Sequence, residues 1–409
     1  MTRLSAIPGY RPLLALRLVS SVVLWLDFTL IFSLLSFHWH ADAMMVGVAS
    51  ALYGLPGLVV GPLFGSLADR RNPVGMLVIS YLARGVTSML MILAPDVHVF
   101  VLLVFAKGLA NLGAMPAEQV LTRSMLNNAQ LVSNTGVMTA VDQFTKICAP
   151  LVAAGVAGLY EPSAGLWLSS ALALVGILCL PALGGITAAP AAVAPRPMRH
   201  YGPLLKLARH NLRFRQAFAC MLCISTILGL YDPLLSLFLK EQGMPASTFG
   251  MVVSATAGGA FAGALVFRRI YARHARRLPS LALMAFGLTV LLPGVLVASV
   301  LMIPASLWLA LWALNGGAYG LVAMTFGVTL QHESPRELVG NISAAARSVQ
   351  LGALVLGPLL GAALTRELGV PVVFALSGSL AIFGGVLLLW CAARVTGSVV
   401  ARTDPAECP

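Results

Sequence analysis

The sequence predicts an all-α polytopic membrane protein whose twelve transmembrane helices form two six-helix bundles. Composition excludes a soluble domain. Hydrophobic residues make up 59% of the chain and charged residues 10%, with a mean hydropathy of +0.90, whereas a soluble domain carries roughly a quarter charged residues. The spacing of apolar runs sets the count. Crossing about 30 Å of hydrocarbon at about 1.5 Å per residue takes about 20 apolar residues, and runs of that length recur along the whole chain. The net charge of +12 lies mostly in short segments between these runs, so it reports topology and not a nucleic-acid surface.

In the first half the runs cover 13–37, 44–66, 74–94, 98–121, 135–159 and 163–183; in the second, 214–239, 246–267, 279–300, 304–330, 341–364 and 370–393. The amino terminus is basic, but the run after it is long, contains Asp27 and has no small-residue cleavage site behind it. It is expected to be a retained first spanning helix. Between the halves, Pro and Ala richness at 184–200 breaks the apolar pattern, and PLLKLARHNLRF suits a short amphipathic helix at the membrane surface. The expected domains are an N-terminal six-helix bundle at 1–183, a cytoplasmic linker at 184–213, and a C-terminal six-helix bundle with a short tail at 214–409.

Loop charges orient these runs. Arg3, Arg11, Arg70, Arg71, Arg123, the linker residues Lys206, Arg209 and Arg213, then Arg268, Arg269, Arg273, Arg276, Arg277 and Arg336 fall at alternate loops. The opposite loops hold Asp42, Asp96, Glu161, Glu241 and Glu367, with only Lys240 and Arg366 as basic residues. Excess Lys and Arg marks the cytoplasmic side, which places both termini there. The six cysteines are scattered, and the Cys220/Cys223 pair sits inside an apolar run without companions, which suits small buried hydrophobes rather than a redox or zinc site.

Between the second and third runs stands GPLFGSLADRR, residues 61–71. Its pattern G-x-L-x-D-R, at Gly65, Leu67, Asp69 and Arg70, resembles the loop signature between helices 2 and 3 of major facilitator transporters. The resemblance implies duplicated bundles related by an axis along the membrane normal. It also implies a gating loop of Gly65, Asp69, Arg70 and Arg71 that contacts cytoplasmic helix ends and stabilises one closed packing. The halves echo each other: Asp27 and Asp232 lie at comparable depth, and Asn134 and Gln143 correspond in spacing to Asn341 and Gln350. The exporters' glycine-rich fifth-helix motif is degraded here, keeping Pro150 but not the double glycine; a better version, Gly352, Gly357, Pro358 and Gly361, lies on the eleventh run. In general texture, AVDQFTK, Asp27 and the two prolines resemble the group holding siderophore exporters and macrolide efflux proteins.

Ionisable residues at membrane depth are the candidate site: Asp27, Arg84, Lys107, Asp142, Lys146, Asp232 and Arg347, with Glu118 nearer the cytoplasmic end. An unpaired charge there costs about 2.5–3.5 kcal/mol or more, so these groups are expected to face the interior, a water path or each other. Asp142 and Lys146, four apart, also fit a structural pair on one helix face. Asp27 is the first choice for a titrating carboxylate, Lys107 for an anion-attracting or charge-balancing group, and Asp232 the second carboxylate. Trp25, Asn111, Gln143, Tyr231, Asn315, Tyr319 and Gln350 are candidate cavity residues, each serving equally well as interhelical glue. Pro116 in the fourth run predicts a bend.

Phosphate-binding glycine loops, hydrolytic triads and metal-ligand spacings are absent from the sequence. The expected protein is therefore not an enzyme and needs no cofactor or metal. The reading is a proton-driven secondary transporter in a bacterial inner membrane, acting as a monomer among lipids, without nucleic acid, exporting a siderophore or drug-like metabolite. Uptake of a small polar metabolite by the same fold is the alternative, and a non-transporting receptor or lipid enzyme the alternative of another class.

Overall fold

A computed structural model describes residues 4, 7–61, 63–64, 67, 72–160, 163–183, 201–299, 302–335 and 337–400. Gly65, Asp69, Arg70 and Arg71 of the expected gating loop lie outside them, as does most of the expected linker. The described residues are helical with no strands, and eleven helices are long and apolar enough to cross a membrane. A shorter apolar helix, Ala43–Val59, stands at the position of the second of the twelve expected crossings.

In chain order the first half contains α1 (Tyr10–Ser33), α2 (Ala43–Val59), α3 (Pro73–Ile92), α4 (Val97–Ala110), α5 (Ala114–Met125), α6 (Asn128–Leu159) and α7 (Ala164–Leu178). The acids read as loop charges have local work to do. Asp42 caps α2 by accepting from the Met45 amide at 2.8 Å, and Asp96 caps α4 by accepting from His98 and Val99. Each satisfies donors that a helix start leaves orphaned. Asn72 caps α3 ahead of Pro73, and Asn127 with Gln130 forms a capping box on α6.

The fourth crossing is interrupted at Asn111–Gly113, between α4 and α5. The break therefore falls ahead of the bend expected at Pro116, which sits in the first turn of α5 where its missing N–H costs nothing. Crossing 3 satisfies the carbonyls that the break releases: Ser80 Oγ donates to Ala110 O at 2.6 Å and Arg84 Nη2 to Asn111 O at 3.4 Å.

The second half contains α8 (Gly202–His210), α9 (Leu212–Tyr231), α10 (Leu235–Glu241), α11 (Ala246–His274), α12 (Leu278–Ala298), α13 (Ala305–Glu333), α14 (Val339–Leu368) and α15 (Val370–Val400). The seventh crossing is α9, a 3-10 turn at Asp232–Leu234, and α10. The amphipathic α8 buries Leu204 against Phe214, Leu330 and Ile342.

Contacts divide the chain into two units. Unit 1 holds Met1–Arg196 together with Asp232–Ala257 and Pro358–Glu367. Its core packs Leu13 and Leu16 of α1 against Leu77 and Tyr81 of α3 and Leu121 of α5, with Tyr81 Oη donating to Leu16 O at 2.7 Å. The late segments join it through Ser36 Oγ and Ser236 Oγ, 2.8 Å apart, Lys240 Nζ and His40 Nδ1, 2.7 Å apart, and Ser254 Oγ donating to Ile147 O at 2.8 Å. Gly47 meets the Pro358 carbonyl so closely that a Cβ there would lie 2.6 Å from it.

Unit 2 holds Pro197–Tyr231, Gly258–Gly357 and Leu368–Pro409. An aromatic core of Tyr231, Phe286, Trp308, Trp312 and Phe374 joins its helices, with neighbouring ring centroids 5.0–6.4 Å apart. α9 and α14 touch at Gly229 and Gly357, where either Cβ would come within 2.7 Å of opposing backbone.

Candidate functional site

The first polar cluster in unit 1 is a closed ring across four crossings. Lys107 Nζ on α4 lies 3.0 Å from Asp27 Oδ2 on α1, with the two side chains 0% and 1% exposed. The same ammonium donates to Ser88 Oγ at 2.5 Å and to the Arg84 carbonyl at 2.8 Å. Ser88 Oγ lies 3.3 Å from Ser169 Oγ, and Ser169 donates to Asp27 Oδ1. The ring keeps both charges hydrogen-bonded in a place where a stranded charge is very costly.

Arg84, 3% exposed, stands beside this ring without a carboxylate partner among the described residues. Its Nη1 donates to Ser20 Oγ at 2.9 Å, and its guanidinium lies 5.5 Å from the Tyr81 ring centroid. Asn111 at the helix break donates to Tyr53 Oη at 3.1 Å, leaving its own Oδ1 unpartnered, as is Arg84 Nε. By formal charge, Asp27, Lys107 and Arg84 together sum to +1.

The second cluster is built on Arg17 of α1. Its Nη1 binds Glu118 Oε2 at 3.0 Å and its Nη2 binds Asp142 Oδ2 at 2.7 Å. Ser21 donates to Asp142 Oδ1 at 3.2 Å and shares a 2.6 Å contact with Thr145 Oγ1. The structure thus pairs Asp142 with Arg17, not with Lys146 four residues on. A guanidinium on the facing helix offers fork geometry that a same-helix ammonium does not. The Lys146 ammonium instead lies 5.1 Å from the Trp25 ring centroid.

Arg17 escapes sequence reasoning because a basic residue in the first two turns of an apolar run reads as a topological anchor. The available signal is its position seven residues inside α1, too deep for a loop charge. Ser88, Ser169 and Tyr53 escape it too, since isolated hydroxyls in apolar helices carry no pattern.

Asp232 is half-buried in unit 1 at the turn between α9 and α10, without a hydrogen bond or ion pair among the described residues. In unit 2, Tyr231 is fully buried in the aromatic core and Asn315 donates to Thr289 Oγ1 at 2.9 Å. Tyr319 and Gln350 are half-buried and Arg347 is exposed. Asp27, Lys107 and Asn111 are thus brought into one neighbourhood with Arg84, and Asp142, Lys146 and Trp25 into another, with Gln143 half-buried on the same helix as Lys146.

A sequence profile described as Major Facilitator Superfamily matches residues 16–354. The chain is 23% identical over 405 residues to the uncharacterized MFS-type transporter YfiS of Bacillus subtilis, covering 93% of this chain and 92% of that protein. It is 22% identical over 349 residues to multidrug resistance protein MdtG of Citrobacter koseri, covering 84% of each. Among solved structures, the nucleoside transporter NupG matches with a TM-score of 0.71 at 14% identity, covering 93% of this chain and 98% of that one. A bacterial homologue of the iron transporter ferroportin, in an inward-facing state, matches with a TM-score of 0.70 at 17% identity, covering 94% and 98%. At such identities the structural likeness shows the fold.

Proposed function

Because the chain belongs to the Major Facilitator Superfamily, we propose that this transporter works as a proton-driven exporter of a siderophore or drug-like metabolite, by alternating access of two six-helix bundles. The observation that carries the reading is the Asp27–Lys107 pair, fully buried in the spanning region and closed into a ring by Ser88 and Ser169. A proton arriving on Asp27 cancels the charge that holds Lys107. The ammonium then keeps only Ser88 Oγ and the Arg84 carbonyl, so the packing of α1, α3, α4 and α7 around the ring changes its preferred state. Asp232, without a hydrogen bond or ion pair among the described residues, is the second carboxylate.

Export is favoured over uptake by the MdtG relatives, which are named multidrug resistance proteins. In this reading the Arg-rich loops and both termini face the cytoplasm of a bacterial cell. In the same reading a monomer suffices. Reconstitution in proteoliposomes with an imposed pH gradient, screened across siderophores, drugs and sugars, tests it. Gradient-driven flux of a siderophore or drug that vanishes in Asp27→Asn while substrate binding is retained supports the reading. Sugar uptake, or flux indifferent to the gradient, defeats it.

A further inference from the structure

We propose that Lys146 and the Trp25 ring form a subsite for the acidic head of the transported molecule, making the substrate class an amphipathic organic anion with a flat apolar body. This rests on the transport reading above. The carboxylate expected to neutralise Lys146 is already engaged: Arg17 takes Asp142 Oδ2 at 2.7 Å and Ser21 takes Oδ1 at 3.2 Å. Glu118 is held by Arg17 and Asp27 by Lys107. The Lys146 ammonium makes no hydrogen bond or ion pair among the described residues, and the face of Trp25 is its neighbour. Lys107, which sequence reasoning offers as the anion-attracting group, is enclosed and paired; Arg84 is enclosed as well. Lys146 is half-buried, and so remains reachable.

The direction it points follows from α6 itself. Phe144 and Leu151 are exposed apolar residues, and at about 100° per residue they lie roughly 140–160° around the helix from Lys146. That marks the lipid-facing side as the opposite one. On one flank of Lys146, Thr145 meets α1 through Ser21; on the other, Ile147 accepts from Ser254 of α11 and Pro150 meets Gly250. The ammonium therefore lies on the face of α6 that runs, within unit 1, between its contacts with α1 and those with α11. From Trp25 an aromatic ladder runs along α1, with Trp25 and Phe28 centroids 5.9 Å apart and Phe28 backed by the buried Phe32 at 5.0 Å, both pairs edge-on. Trp25 and Phe28 are half-buried. A carboxylate or sulfonate head satisfies the ammonium's donors, a ring or flat hydrocarbon body lies on the ladder, and an organic cation is repelled.

The test uses the full chain in lipid nanodiscs and two probes with the same ring, naphthoate and naphthylmethylammonium. Wild type is expected to hold naphthoate about tenfold more tightly than the ammonium, the scale of one charge-assisted hydrogen bond. Lys146→Gln abolishes that preference, Lys146→Arg keeps it, and Trp25→Ala weakens both probes alike; gel filtration of each variant checks its fold. Equal binding of the two probes by wild type, absence of naphthoate binding, or an unchanged naphthoate affinity in Lys146→Gln overturns the subsite. Flux in proteoliposomes separates the two readings. Lys146-dependent naphthoate binding without gradient-driven flux sinks the transport mechanism and leaves the subsite. Gradient-driven flux of the cationic probe, indifferent to Lys146→Gln, does the reverse.

Discussion

Removing the charge of Asp27 strands the Lys107 ammonium, 3.0 Å away and wholly enclosed. Breaking one partner of such a pair costs about 3–5 kcal/mol, whereas replacing both by apolar groups costs far less. Asp27→Asn is therefore expected to lower the thermal unfolding midpoint sharply, and adding Lys107→Met to restore part of the loss. A double variant no more stable than the single one would deny the coupling. Arg17→Met is expected to lower the midpoint more than Lys146→Met, because among the described residues Arg17 holds two carboxylates and Lys146 none; equal losses would contradict that. At this scale sequence is a partial guide. Asp27 and Lys107 stand out as charges in apolar runs, but the pairing of Asp142 was decided by a facing helix, and no local spacing rule reports a partner 125 residues away.

Helices show how small residues fix crossings. Of the eleventh-run glycines, Gly357 touches Gly229 while Gly352 has open space around it. Overpacking costs about 1–3 kcal/mol, so Gly357→Val should destabilise by that amount. Gly352→Ala should gain about 0.5–1 kcal/mol from helix propensity alone. Equal effects of the two substitutions on thermal unfolding would show that the close approach is not what Gly357 provides. Crossings themselves were legible, since twenty apolar residues leave few alternatives to a spanning helix. The interruption of the fourth was not: Pro116 drew attention to itself, yet the chain breaks at Asn111–Gly113, where Ser80 and Arg84 of the third crossing supply the donors that make a break tolerable. Such donors belong to tertiary packing and leave no mark on the fourth run.

For the whole molecule, the proposed orientation predicts that tags at residue 1, in the 190s and at residue 409 report cytoplasmic, while one beside Asp42 reports the other side. A periplasmic signal from the 190s would undo the proposed six-plus-six arrangement. The contacts of α10 with the end of the first crossing give a second check. Ser36→Cys with Ser236→Cys places two thiols where hydroxyl oxygens lie 2.8 Å apart, so oxidation should link them and halt flux until a reductant is added. Flux undisturbed by the link would mean that this contact need not open during transport. Apolar periodicity reveals twelve crossings but not that Asp232–Ala257 and Pro358–Glu367 complete the unit begun by the first six. That membership governs biosynthesis. Gly47 of α2 finds its Pro358 neighbour only when roughly 300 more residues have been made, about 15–60 s later at about 5–20 residues per second. Through that interval a short crossing with a bare glycine face waits in the bilayer, so the ribosome must make Pro358–Glu367 before the amino-terminal unit is whole.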